Sequence, residues 1–293
     1  MANLKAIRRR IKSVQATQKI TRAMRLVAAA KVRKAQMRVQ AARPYSEAVL
    51  HMLREAVSEL ASIDLQEMPV LQVRPVNKVA LIVISSDRGL CGSYNTTVLR
   101  EALKRIQELQ AEGKEVCLIL VGLKAVGFFK HIKVEKKKIY TLLPAVPTVQ
   151  EAKLIADQAA ELFVSKEVDA VEIIGSKFKS LLASEIVDLK YIPVAVPKAE
   201  THGMLKPERL FEPSIAEVME KELLPKYIEN TVYQMLLEAA ASELAARMNA
   251  MTNASNNARD LILGLTLVYN KARQAAITQE LLEIVGGAEA LKG

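Results

Sequence analysis

Side chains able to attack, ligate or shuttle protons are sparse in this chain of 293 residues. Its two cysteines, Cys91 and Cys117, stand 26 positions apart, a spacing that fits neither a zinc ribbon nor a disulfide framework. His51, His131 and His202 are scattered and read as surface or packing residues. Asp169 and Glu172 fall along one short strand, and nothing in the sequence pairs them for acid–base work. The best candidate for phosphate chemistry is the segment 85–95, which follows a strand and precedes a helix, where α/β proteins often bind phosphate. Its glycines, in Gly89-Leu-Cys-Gly92, match neither G-x-G-x-x-G nor G-x-x-x-x-G-K-[ST]. A tight structural turn or a subunit contact is therefore the better reading, and Cys91 reads as a small packing residue. No catalytic, cofactor-binding or metal-binding residue is assigned.

The elements around these residues are more informative. Apolar residues make up 51% and charged ones 25%, enough to bury a core. The longest apolar run, 79–84, is far too short to span a membrane. The net charge of +10 is concentrated at the start of the chain: residues 1–43 hold thirteen Lys or Arg and no acid. Such a segment suits an acidic partner, a phosphate backbone or an anionic surface. It also imitates a mitochondrial targeting peptide, but a cleaved peptide has no reason to share a heptad frame with the forty residues after it.

That frame runs from Leu4 through Ile7, Ile11, Val14, Gln18, Thr21, Arg25 and Ala28 to Leu60, and thirteen of its seventeen positions are apolar. Pro44 is expected to kink the helix. A second frame runs from Leu237 through Leu244, Arg247, Met251, Ala258, Leu261, Leu265, Val268 and Ala275 to Leu282. Ser214 and Glu217 have the spacing of a capping box, Pro225 divides a lead-in helix from the long one, and Gly286 and Gly287 are expected to end or fray it. Each long helix is then on the order of 70–90 Å. Between them, 79–84, 116–121 and 170–174 read as buried strands, 96–112 and 148–166 as helices, and 180–196 as a further strand at an edge. The fold class is α/β plus a long antiparallel coiled coil, with an α/β domain (76–205) inserted between paired terminal helices (1–66 and 208–293).

If the polar seam positions Thr21 and Arg247 lie at one height, the first residues face 265–267 and the C-terminal helix runs on alone. That overhang carries Ile277, Leu281, Leu282, Ile284 and Val285, an apolar stripe that needs a socket in another protein.

Four stretches resemble the gamma subunit of F-type ATP synthases of the bacterial type. They are Ile11-Lys-Ser-Val-Gln-Ala-Thr-Gln-Lys-Ile-Thr-Arg-Ala-Met24, continuing to Lys31; Ser85-Ser-Asp-Arg-Gly-Leu-Cys-Gly-Ser-Tyr-Asn95; Ala241-Ser-Glu-Leu-Ala-Ala-Arg-Met-Asn-Ala-Met251; and the run from Tyr269 to Ala288. The resemblance covers essentially the whole chain. It implies a Rossmann-like insert and a non-catalytic rotor shaft, one copy per complex, inside a ring of alpha and beta subunits. The α/β domain would form a foot on the c ring, with epsilon beside it. The shaft would transmit torque between the c ring and the catalytic ring, its asymmetric contacts setting beta-subunit conformations. The complex would lie on the cytoplasmic side of the bacterial plasma membrane, which the chain meets only through its partners. The resemblance points to Arg273 and Gln274 as contacts of a beta-subunit loop. A guanidinium grips a carboxylate through two bonds, which gives directional hold. Arg247 would reach solvent or beta, Met24 lies near its level, and Arg8, Arg9 and Lys12 belong to the basic stripe that meets acidic segments of beta. Lys206, Arg209 and Phe211 are the candidates for the c ring. Ser93 stands where this loop commonly has glycine, and the chloroplast-type insertion with its cysteine pair is absent.

Two rivals fare worse. In a nucleic-acid-binding basic coiled coil the basic region precedes the zipper, whereas here charge and seam coincide. A dinucleotide enzyme needs a phosphate-cradling glycine pattern that the insert lacks.

Overall fold

The computed structural model describes residues 4–59, 68–144, 146–195 and 214–290. Helix α1 (Leu4–Glu59) opens the chain, and a 3-10 turn (Pro69–Leu71) leads into the α/β region. There follow β1 (Lys78–Ile84), α2 (Tyr94–Ala111), β2 (Glu115–Val121), α3 (Leu123–Phe129), β3 (Glu135–Tyr140), α4 (Val149–Val164), β4 (Ala170–Phe178) and β5 (Ser184–Ile192). A short helix α5 (Ile215–Val218) and one π-helical turn (Met219–Leu223) precede α6 (Leu224–Ala290). The chain divides into two compact units, residues 30–246 and residues 1–29 with 247–293. The domain limits expected at 66, 205 and 208 lie outside the described residues.

In the unit 30–246 the strands form one sheet in the order β3-β2-β1-β4-β5, parallel except for β5. β1 and β2 are central and read as unbroken apolar runs because both of their faces are covered. Ala80, Ile82, Ile84, Cys117, Ile119 and Val121 point to one face. There they meet α4, the end of α1 at Leu53 and Ala56, and α6 at Ile228, Val232, Met235 and Leu236. Val79, Leu81, Val83, Leu118 and Leu120 point to the other face, against α2 and α3. Two elements escaped the sequence reading. β3 is Glu-Lys-Lys-Lys-Ile-Tyr, whose three lysines carry no apolar alternation; lysine on an exposed edge blocks pairing with other chains. α3 spans only seven residues, too few for a helical period to declare itself.

Asp169 and Glu172 are spoken for by cations rather than by each other. Arg105 of α2 holds Glu172 through two bonds of 2.8 Å and lies 3.2 Å from Asp188 of β5. Asp169 sits 3.1 Å from Arg74 and accepts from the backbone N–H of Asn77 and Lys78 at 2.9 and 3.0 Å. Arg74 in turn stacks on the Phe163 ring at 4.2 Å. Burial works against the Asp169 charge, but the two N–H donors and Arg74 outweigh it and hold the carboxyl below its usual range.

The helix pair is antiparallel. Asn230 Nδ2 donates to Ser46 Oγ at 2.8 Å, and at the same offset Val39 and Leu237, and Val32 and Leu244, share one apolar cluster. Every expected α1 seam position from Leu4 to Ala56 is buried or half-buried. α1 runs through Pro44, whose ring lies on the exposed side. At the start of α6 the π turn, in which the Leu224 N–H reaches Met219 O, absorbs the hydrogen bond that Pro225 cannot donate. The Ser214 hydroxyl accepts from the Glu217 N–H at 3.3 Å, half of the expected capping box.

Three expectations need correction. Gly286 and Gly287 do not end α6, which continues to Ala290; glycine costs about 1 kcal/mol of helix propensity but does not forbid the helical backbone. The α6 seam also drifts. Beyond Ala258 the half-buried residues are Ile262, Leu265, Tyr269, Ala272 and Ala276, while Leu261, Val268 and Ala275 are exposed. Two consecutive steps of four, from Ala254 to Ala258 and on to Ile262, make a stutter that shifts the face. The offset implied by pairing residue 21 with 247 is about one heptad short of the offset in the unit 30–246, where Ser46 meets Asn230 and Val32 clusters with Leu244. Thr21 needs no polar partner across the seam, because its hydroxyl donates to Gln18 O at 3.1 Å.

Two measurements check this account. Gly122 has φ +95°, and a Cβ there would stand 2.6 Å from Ser85 O, so Gly122→Ala should lower stability by about 1–3 kcal/mol in denaturant unfolding. The depressed Asp169 carboxyl contributes stability above its unfolded value of 3.8 that is lost as pH falls through its lower folded value. Asp169→Asn should therefore destabilise near neutral pH and flatten the dependence of stability on pH below about pH 4.

Candidate functional site

The segment 85–95 sits at the C-terminal end of β1 and is organised from inside by Asn95. The Asn95 Oδ1 accepts from the Ser86 N–H at 3.0 Å, and its Nδ2 donates to Ser86 Oγ at 2.9 Å and to Cys91 Sγ at 3.1 Å. Ser85 Oγ donates to Val121 O and accepts from the Ala125 N–H, at 3.0 and 2.9 Å. Asp87 Oδ1 accepts from the Leu123 N–H at 2.8 Å, so a carboxylate already occupies the start of α3. These donors are committed to the protein itself, which is the work of a structural turn. The positive φ angles fall on Leu90 and Gly92, at 64° and 59°, whereas Ser93 has φ −85° and needs no glycine. Tyr94 is buried; burial, with the charge of Glu243 on α6 adding to it, raises its hydroxyl well above its usual value. Ala246 of α6 packs on the same cluster. The segment thus backs onto α6. Cys117, buried in β2, has its thiol pushed up to about 11 by that burial, which keeps it protonated and inert.

The residues expected to meet beta and to fill the socket lie in the other unit, residues 1–29 with 247–293. Arg8, Arg9, Lys12, Arg273 and Gln274 are exposed, while Met24 and Arg247 are half-buried. Past Ala276 every described side chain through Ala288 is exposed. Ile277, Leu281, Leu282, Ile284 and Val285 are 47–67% exposed, and 277, 281, 284 and 285 share one helix face. The unit holds thirteen basic residues against four acidic ones. Lys206, Arg209 and Phe211 lie outside the described residues.

The protein family described as ATP synthase matches residues 3–291. An ATP synthase gamma chain from Cyanothece sp. (strain PCC 7425 / ATCC 29141) is 46% identical over 317 aligned positions, covering all of both chains. One from Rippkaea orientalis is 47% identical, covering 99% of this chain and 100% of the relative. This chain belongs to the ATP synthase gamma-chain family. It is a central-stalk subunit of the F-type enzyme. A chain of the Tetrahymena thermophila mitochondrial ATP synthase central stalk/c-ring structure is 25% identical with TM-score 0.59, covering 80% of this chain and 99% of that one. A chain of the Euglena gracilis mitochondrial enzyme shares the fold at 18% identity and TM-score 0.65, covering 98% and 94%. The 317 aligned positions exceed the 293 residues of the chain, so the Cyanothece relative carries 24 positions with no counterpart here.

Two groups of residues escaped the sequence reading: Asn95 as the organiser of its loop, and Glu238 and Glu243 as buried acids on α6. The available signal was an acid on the apolar face of a helix, at the end of Leu236-Leu237-Glu238. Asn95→Ala should remove the partner of a half-buried N–H and lower stability by about 1–2 kcal/mol, with faster amide exchange at Ser86 as the local readout.

Proposed function

We propose that the chain is the non-catalytic rotor shaft of its synthase, present once per complex. The shaft passes torque between an ion-driven c ring and a ring of alpha and beta subunits. The observation that carries this reading is the exposed aliphatic end of α6 on a unit of strong positive charge. Covering five half-exposed aliphatic side chains is worth on the order of 5 kcal/mol, enough to hold a tip in an apolar socket that has little directional grip. A socket without directional bonds is also one in which a tip can turn.

Charge supplies the angular information. Three chemically identical beta subunits around one shaft can differ only through the face they meet. Arg8, Arg9, Lys12 and Arg273 present guanidinium and ammonium groups to acidic segments of beta, and Gln274 adds a neutral donor and acceptor beside them. Met24 and Arg247 form a second contact level lower on the shaft. A beta subunit that meets these residues is biased toward one conformation, and rotation passes the bias to the next. The α/β domain is the foot, with epsilon beside it and Lys206, Arg209 and Phe211 toward the c ring. Among the described residues no helix is long and apolar enough to cross a membrane. The chain is held peripherally, on the cytoplasmic side of the bacterial membrane, by its partners.

Mixing the purified chain with alpha and beta subunits tests the shaft. One copy should enter each ring of six, and a 1:1:1 stoichiometry overturns it. Removal of 278–293 should weaken assembly, and a truncated chain that assembles as tightly as the full one overturns the socket.

A further inference from the structure

A foot can turn a shaft only if the two are joined against rolling and sliding. In the unit 30–246 most of the contact between sheet and helices is apolar, with Ile228, Val232, Met235 and Leu236 lying against the sheet. Gly175 of β4 lets Met235 come close; a Cβ there would stand 2.8 Å from the Met235 methyl. Apolar burial resists separation, but it has no direction and resists rolling weakly.

One side chain supplies direction. Glu238 of α6 is 3% exposed. Its Oε2 accepts from the N–H of Phe178, the last residue of β4, at 2.7 Å. Its Oε1 accepts from Gln234 Nε2 at 3.2 Å and lies 3.6 Å from Arg43 Nη2 of α1. A single carboxylate thus meets the sheet, its own helix and the opposing helix. A buried carboxylate is costly unless its oxygens are engaged, so leaving either partner is strongly opposed. A second bond between sheet and α6 runs from the Tyr191 hydroxyl to Ile228 O at 2.8 Å. It ends on the α6 backbone, near the helix axis, whereas the Glu238 carboxylate stands farther out, so the same rotation of α6 displaces it more.

We propose that Glu238 is the positioning residue that pins the α/β sheet to the helix pair, so that torque applied to one is delivered to the other. The proposal rests on the shaft reading and adds to it the joint through which the foot drives the helices.

The test uses the complete synthase reconstituted in vesicles, carrying the wild-type chain or Glu238→Ala, Glu238→Gln or Arg43→Met. Chain content, melting temperature, ATP hydrolysis and ATP-driven ion uptake are measured on each. Ions moved per ATP hydrolysed should fall at least about twofold in Glu238→Ala, while hydrolysis persists. Glu238→Gln should recover part of the loss, because its amide oxygen still accepts from Phe178 while its amide N–H groups oppose Arg43 and Gln234. Arg43→Met should lower the ratio less than Glu238→Ala. A lowered melting temperature with an unchanged ratio overturns the proposal, as does a parallel loss of hydrolysis and uptake. If Glu238→Ala fails to assemble, the other two variants decide: a lowered ratio in either supports the pin, and an unchanged ratio in both overturns it. A wild-type chain missing from the assembled complex overturns the shaft reading itself, and is seen before any variant is compared.

Discussion

Helices of 56 and 67 residues depend on burying an apolar stripe, because propensity alone gives long helices little stability in water. In the unit 30–246 that burial is mutual: Val32 and Val39 of α1 pack with Leu237, Ala241, Leu244 and Ala245 of α6. Small residues let the helices approach, and the hydrogen bond between Asn230 and Ser46 fixes which residues face each other. In the other unit α6 is half-buried at intervals as far as Ala276, and the described residues beyond it, through Ala288, leave an apolar face uncovered.

The sheet depends on the same helices. Both faces of β1 and β2 are covered, one by α2 and α3 and the other by α4 together with parts of α1 and α6. The helices are thus a wall of the α/β core. Three buried or half-buried carboxylates are handled alike. Glu172 is held by Arg105, Asp169 by Arg74 and two backbone donors, and Glu238 by Phe178 and Gln234 with Arg43 close by. Each carboxylate ties together elements distant in sequence.

This division of labour suits a stalk. Cys91, Cys117 and Glu172 are buried in the α/β unit, and the half-buried Asp169 is held by Arg74. The surface of the other unit carries thirteen basic residues against four acidic ones and a run of exposed aliphatic side chains, which recognise other proteins by charge and by shape.

The α1 seam, the central strands and the fold class were legible in the residues alone. Apolar spacing reports burial directly, and the central strands β1 and β2, covered on both faces, are almost wholly apolar. The family was legible as well, through four stretches of matching residues. The short helix α3 and the lysine-rich edge strand β3 were not, since one is too brief for a period and the other earns its place by pairing with β2. The stutter beyond Ala258 was hidden because alanine is apolar on either face, so an Ala-rich helix tolerates more than one frame. The register was hidden for a related reason. Heptads repeat, so a shift of one heptad preserves the pattern, and only the contact of Asn230 with Ser46 in three dimensions selects among the alternatives. The role of Glu238 was decided in the same way: its sequence position announces an acid on a helix, and only the folded chain brings the end of β4 and Arg43 to its two oxygens.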